Sequence, residues 1–88
     1  MVARKFEVVF SPAARKVYEA IKDKKLLRGI NRTLDDIAEN PYQFPKLSGP
    51  LEGFRKSKTF SYRIVFRIIE AKIQILIFAI GPRADIYR

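Results

Sequence analysis

The chain has 88 residues, 48% of them hydrophobic and 31% charged, which suits one domain with a single modest core and argues against disorder. It holds no cysteine and no histidine, which excludes a disulfide framework, the nitrogen and sulfur ligands of zinc sites, and the histidine base of most hydrolytic triads. Eighteen Lys and Arg against nine Asp and Glu leave a net charge of +9, a field that draws polyanions, with nucleic acid the commonest of them in a cell.

Lys5 to Phe10 alternates as a short strand, with Phe6, Val8 and Phe10 on one face. Ser11-Pro12 supplies an N-cap and a first-turn proline, and Ala14, Val17, Tyr18 and Ile21 recur at helical spacing to about Lys22. Asp23-Lys24-Lys25 reads as a polar connection. Leu27, Ile30, Leu34 and Ile37 mark a second helix that stops at Asn40-Pro41, the two helices forming an antiparallel pair on a sheet. From Pro41 to Gly53 three prolines, two glycines and the anchors Tyr42, Phe44, Leu47 and Leu51 predict an ordered loop.

Phe54 to Thr59 is a second strand, and a hairpin follows. Tyr62, Ile64, Phe66 and Ile68 share one face, and Arg63, Val65, Arg67 and Ile69 the other, while Lys72 to Ile80 is nearly all apolar and reads as buried on both sides. A two-residue loop at Glu70-Ala71 pairs Ile69 with Lys72, Phe66 with Ile75 and Ile64 with Ile77, and sets Arg63 across from Phe78 and Arg67 across from Gln74. Gly81-Pro82 ends the last strand. The expected domain, residues 1–88, is α+β: two N-terminal helices on a mainly antiparallel four-stranded sheet in the order βααβββ.

The longest apolar run, Ile73 to Ile80, is too short for a membrane span, and no signal-peptide pattern opens the chain, so a cytoplasmic location is expected. Asp35, Asp36 and Glu39 form one acidic cluster on an exposed helix face, where carboxylates do not converge as two-metal chemistry requires, so no metal site is expected. No glycine-rich phosphate loop follows a strand, and no cofactor is expected. The positive excess lies mainly in residues 45–88, net +6 against +3 for residues 1–44. There Arg55, Lys56, Lys58, Arg63, Arg67 and Arg83 accompany Tyr62 and Tyr87. A strand-borne cation is ordinarily a solvated side chain, and Lys56, Arg67 and Lys72 fit that description. Arg63 stands on a central strand and Arg83 directly after Gly81-Pro82, positions that suit the two-pronged arginine grip on a phosphate.

The Leu47-Ser48-Gly49 loop, Gly53-Phe54-Arg55, Tyr62-Arg63-Ile64-Val65-Phe66, Ile80-Gly81-Pro82-Arg83 and the late Tyr87 resemble the RelE/ParE superfamily of type II toxin–antitoxin toxins, and its RelE-like members in particular. The resemblance covers nearly the whole chain. It implies a small toxin silenced by an acidic, partly helical RelB-like antitoxin, acting as a ribosome-dependent endoribonuclease that cuts messenger RNA in the A site without a metal. By the same resemblance Arg63 and Arg83 stabilise the scissile phosphate, Arg83 serves as proton donor to the leaving oxygen, and Tyr87 as base for the attacking 2′-hydroxyl. Arg55, Lys56 and Lys58 form the candidate substrate-binding set. Arg55 matches one position of the family's strand-two basic pair, and the other falls on Ser57, or on Lys58 after a one-residue shift. The alternative on the same fold is a ParE-like toxin that blocks DNA gyrase without cutting RNA.

Overall fold

The computed structural model describes residues 5–82. Strand β1 (Glu7–Phe10) leads into helix α1 (Pro12–Ala20) and helix α2 (Lys24–Glu39), followed by β2 (Arg55–Thr59), β3 (Tyr62–Ile69) and β4 (Gln74–Pro82). The sheet order is β1-β4-β3-β2, with β1 parallel to β4 and the other pairings antiparallel. This is the expected α+β arrangement, two helices on a mostly antiparallel sheet.

Local chemistry explains the helix starts. The Ser11 hydroxyl accepts from the Ala14 amide at 3.0 Å, and Pro12 sits in the first turn, where its missing N–H costs nothing. Asp23 is not part of a polar connection but the N-cap of α2, its carboxylate accepting from the Lys25 and Leu26 amides at 2.9 and 3.2 Å. That cap begins α2 at Lys24, three residues before the first apolar position used to mark it. The helices meet the sheet more than each other, α1 chiefly at β4 and α2 at β2. Ala14, Ile30 and Ile37 from the helices are fully buried against Ile64, Phe66, Ile75 and Ile77 of the central strands. Each large apolar side chain so buried contributes about 1.5–3 kcal/mol.

Residues 41–53 form an ordered loop with two single 3₁₀ turns, Pro41–Gln43 and Gly49–Leu51. Phe44 stacks edge-on against Phe66 at 5.7 Å, and Leu47 donates its amide to the Phe54 carbonyl at 2.9 Å, laying the loop along the start of β2.

The β3–β4 register differs from the expected one. Glu70–Lys72 coil into a 3₁₀ turn closed by Ile73 in the left-handed conformation (φ 52°), so the first pair is Ile69 with Gln74. Phe66 therefore faces Ile77 and Arg67 faces Leu76. Because the slip is two residues, every side chain keeps its face. A bulge at Phe78 then adds one residue to β4, so Val65 faces Ala79, Ile64 faces Ile80, and Arg63 faces Gly81 instead of Phe78. β4 runs to Gly81-Pro82 as expected, and these two residues pair with Arg63 and Tyr62. Nor is β4 buried on both sides: Leu76 is half-buried and Phe78 is 43% exposed. β1 is shorter than expected and starts at Glu7, and α1 ends at Ala20.

Ser11 ties these features together. Its hydroxyl, besides capping α1, donates to the Phe78 carbonyl at 2.7 Å, and its amide donates to the Ile77 carbonyl at 2.9 Å. The residue that starts α1 thus also occupies the carbonyl at the bulge.

Candidate functional site

Residues directly opposite in a ladder point to the same side of the sheet. Ile64, Phe66, Ile75 and Ile77 face the helices, so the alternate positions of β3, Arg63, Val65 and Arg67, face away from them, together with Lys56 and Lys58 of β2. The helix-free face is therefore basic. Arg63 is its centre, buried to 4% exposure between Lys58 on β2 and Gly81 on β4. The residue opposite it on β4 is a glycine, which contributes no side chain to this face. Lys58 is exposed, Lys56 half-buried beside Val65, and a depression of about 230 Å³ opens by Lys58, Tyr62 and Arg63.

The aromatic residues of this face form a second feature. Phe54 and Phe78 have ring centroids 4.9 Å apart although they flank β3 from opposite sides, so the rings meet only by reaching across that strand. The Arg67 guanidinium lies 5.9 Å from the Phe54 centroid, close enough for a cation–π contact. Strand alternation after Ile77 turns Phe78 to this face, the bulge then sets Ala79 opposite Val65, and Val65 is fully buried there.

Arg55 is placed differently. It pairs with Phe66 on the helix-facing side and donates to the carbonyls of Phe44 at 2.8 Å and Tyr42 at 3.4 Å, with its guanidinium 5.6 Å from the Tyr42 ring. Those bonds hold the 41–53 loop. Tyr42 in turn donates its hydroxyl to Glu70 at 2.7 Å, and that hydrogen bond, more than the burial or charge around it, raises the tyrosine above the ordinary phenol range.

The structure thus brings Arg63, Lys56 and Lys58 onto one face and puts Arg55 on the other. Ser57 also points to the helix side, opposite Ile64, which leaves Lys58 as the strand-two side chain beside Arg63. Arg83 and Tyr87 lie outside the described residues; Arg83 is the next residue in sequence after Pro82. Among the described residues no group of three or more Asp or Glu side chains gathers as a metal site would need. No helix among them is long and apolar enough to cross a membrane.

Sequence reasoning overlooked Phe60. It occupies the two-residue turn between β2 and β3 with φ 57°, is 64% exposed, and packs its ring edge against Gly29 of α2. The signal was present: a two-residue hairpin turn calls for Gly, Asn or Asp at such an angle, and a phenylalanine there breaks the rule.

A family model described as the ParE toxin of type II toxin–antitoxin systems, parDE, matches residues 8–87. A Methanocaldococcus jannaschii protein named "Putative toxin RelE4" is 24% identical over 86 residues, covering 94% of this chain and 92% of its own. Among solved structures, the YoeB/ParE toxin from Agrobacterium tumefaciens superposes with a TM-score of 0.79 at 16% identity, covering 89% of this chain and 99% of its own. The toxin–antitoxin complex RelBE2 from Mycobacterium tuberculosis contains a chain matching with a TM-score of 0.77 at 20% identity, over 90% of this chain and 99% of that one. At these identities the structural likeness establishes the shared fold.

Proposed function

The chain belongs to the ParE toxin family of type II toxin–antitoxin systems, and within it we propose a ribosome-dependent endoribonuclease that stops translation by cutting messenger RNA in the A site. The observation that carries this reading is Arg63, a nearly buried guanidinium on the helix-free face, with Lys58 opposite on one side and a side-chain-free Gly81 on the other. Such a cation is held in place before substrate arrives, the condition under which electrostatic stabilisation of a transition state is strong.

In the proposed reaction the 2′-oxygen attacks the adjacent phosphorus, forming the O2′–P bond as the P–O5′ bond breaks. Arg63 and Arg83 meet the charge that grows on the non-bridging oxygens. Tyr87 accepts the proton of the 2′-hydroxyl, and Arg83 delivers one to the departing 5′-oxygen. Both groups ionise far above neutrality when unperturbed, and clustered positive charge favours the tyrosinate that Tyr87 needs. Lys58 and Lys56 bind neighbouring phosphates as point charges. Arg55, turned to the other side of the sheet, supports the site by fixing the 41–53 loop. The partner that silences the toxin is an acidic, partly helical antitoxin of the RelB type, complementary to the +9 charge. The solved RelBE2 neighbour is itself a toxin–antitoxin complex.

A second reading, gyrase inhibition without RNA cleavage, draws on the family model's ParE description. Pulse labelling after expression without antitoxin separates them. Protein synthesis falls first if RNA is cut; an earlier collapse of DNA synthesis assigns the toxin to gyrase.

A further inference from the structure

Phe60 is an exposed ring on a strained backbone, and its surroundings are cationic. It forms a wall of a groove of about 600 Å³ along α2 with Lys25, Arg28, Arg32 and Asp35, and it also borders the depression at Lys58 and Arg63. The ring therefore stands between two basic hollows at the β2–β3 hairpin tip, and it also borders a smaller one beside Asp23 and Lys25, where the Asp23 carboxylate is taken up in capping α2. Among the described residues Lys25, Arg28, Arg32 and Lys58 form no ion pair, whereas Asp35, the single acid in the groove, lies 3.9 Å from Lys5.

The fold holds the ring in place from below. A Cβ at Gly29 would stand 2.7 Å from Phe60 Cε2 and 3.0 Å from Thr59 Cγ2, so glycine lets the hairpin tip lie close against the helix, and a larger residue would push the exposed ring aside. The Thr33 and Thr59 hydroxyls, 2.6 Å apart, fix the same junction. A phenylalanine at φ 57° is unfavourable in itself, and a residue kept in such a conformation while 64% exposed contributes little to the core.

We propose that the Phe60 tip and the Arg28–Arg32 face of α2 form a second RNA-docking surface, where the strand bound at Arg63 crosses the hairpin, stacks a base on Phe60 and lays its next phosphates along α2. Flat ring and flanking cations are the two elements from which single-strand RNA surfaces are built: stacking on the ring and charge neutralisation beside it. An acidic peptide would satisfy the cations equally, but a projecting ring offers it no pocket for an apolar anchor. The inference rests on the RNA-cleaving reading and extends it to a surface beyond the scissile phosphate.

The test uses a short fluorescein-labelled RNA with every 2′-hydroxyl methylated, so that binding is read without cleavage. Affinity is measured by anisotropy over a salt series for the parent, Phe60→Gly, and Arg28→Ala/Arg32→Ala; cutting of unmodified messenger on programmed ribosomes runs in parallel. Glycine suits the positive φ, so Phe60→Gly removes the ring without straining the turn. The proposal expects Phe60→Gly to bind roughly tenfold more weakly, as for loss of one stacked base. The double arginine variant should lower the salt slope by about 1.4, two single-strand phosphate contacts. If the parent binds and cuts while both variants bind like it, this surface is wrong and the cleavage reading stands. If the parent neither binds nor cuts, both fall. Weakened affinity for the acidic antitoxin with RNA affinity unchanged would give the surface to the antitoxin and overturn the proposal.

Discussion

Lys58 and Arg63 stand directly opposite each other in the β2–β3 ladder, two cations on neighbouring strands of the same sheet face. Like charges in that relation destabilise a sheet, whereas a phosphate between them would be drawn in by both. The pair is thus placed to bind an anion that both side chains can reach.

Lys58→Ser should therefore separate folding from binding. Stability should change by no more than about 1 kcal/mol, the scale of a single cross-strand pair, read from the urea midpoint. RNA affinity should fall, with a salt slope lower by about 0.7. A variant that loses stability and keeps full affinity would show that Lys58 is a structural residue.

Ser11→Ala removes both the α1 cap and the donor to the bulge carbonyl of Phe78. The cap alone is worth about 0.5–2 kcal/mol. Because the bulge is what sets Gly81 opposite Arg63, the variant should also cut more slowly than its folded fraction explains. Thermal melts and single-turnover cleavage on the same samples give the comparison. A rate that tracks the folded fraction would uncouple the bulge from the site.

Arg55→Ala should cost about 1–2 kcal/mol, the low end for hydrogen bonds to a charged group, because the carbonyls of Phe44 and Tyr42 lose their donor. Limited proteolysis should then cut within residues 41–53, and RNA affinity measured on the folded protein should hardly change. A large affinity loss with the loop still protected would return Arg55 to the phosphate-binding set.

Tyr42 should ionise later than an ordinary tyrosine, since its neutral hydroxyl donates to Glu70. The raised folded value means that this contact adds stability below the unfolded pKa of about 10, and loses it as pH climbs through the folded value. Ultraviolet titration should show a late tyrosinate step that disappears in Tyr42→Phe and moves down in Glu70→Ala, which removes the acceptor. An unchanged titration in Glu70→Ala would mean the hydrogen bond does not form in solution.

Much of this architecture is legible in the residues, and what is not has local causes. Ser11-Pro12 announces α1 because capping chemistry acts within one turn. The alternation of Tyr62 to Ile69 separates core face from basic face because pleating enforces a period of two. The β4 register escapes the same logic. Ile73, a β-branched residue, takes a left-handed conformation that its own preferences oppose, and tertiary packing of the strands decides it. The bulge did leave a trace: Ile75 and Ile77 are two apart, and Ile80 follows three later, so one extra residue must stand between them. That trace gives Gly81 as Arg63's neighbour. Arg55 could not be assigned a face by composition, because its carbonyl partners come from a loop without a period.

Single-turnover cleavage of messenger RNA on programmed ribosomes, with parent and Arg83→Ala compared and gyrase supercoiling followed in the same preparations, decides between cutting and gyrase inhibition. The parent should cut within the A-site codon and leave gyrase unaffected, and Arg83→Ala should lose about 100-fold or more in rate, as for removal of a preorganised charge, at an unchanged melting temperature. Intact messenger together with blocked supercoiling would contradict RNA cleavage and identify the protein as a gyrase inhibitor.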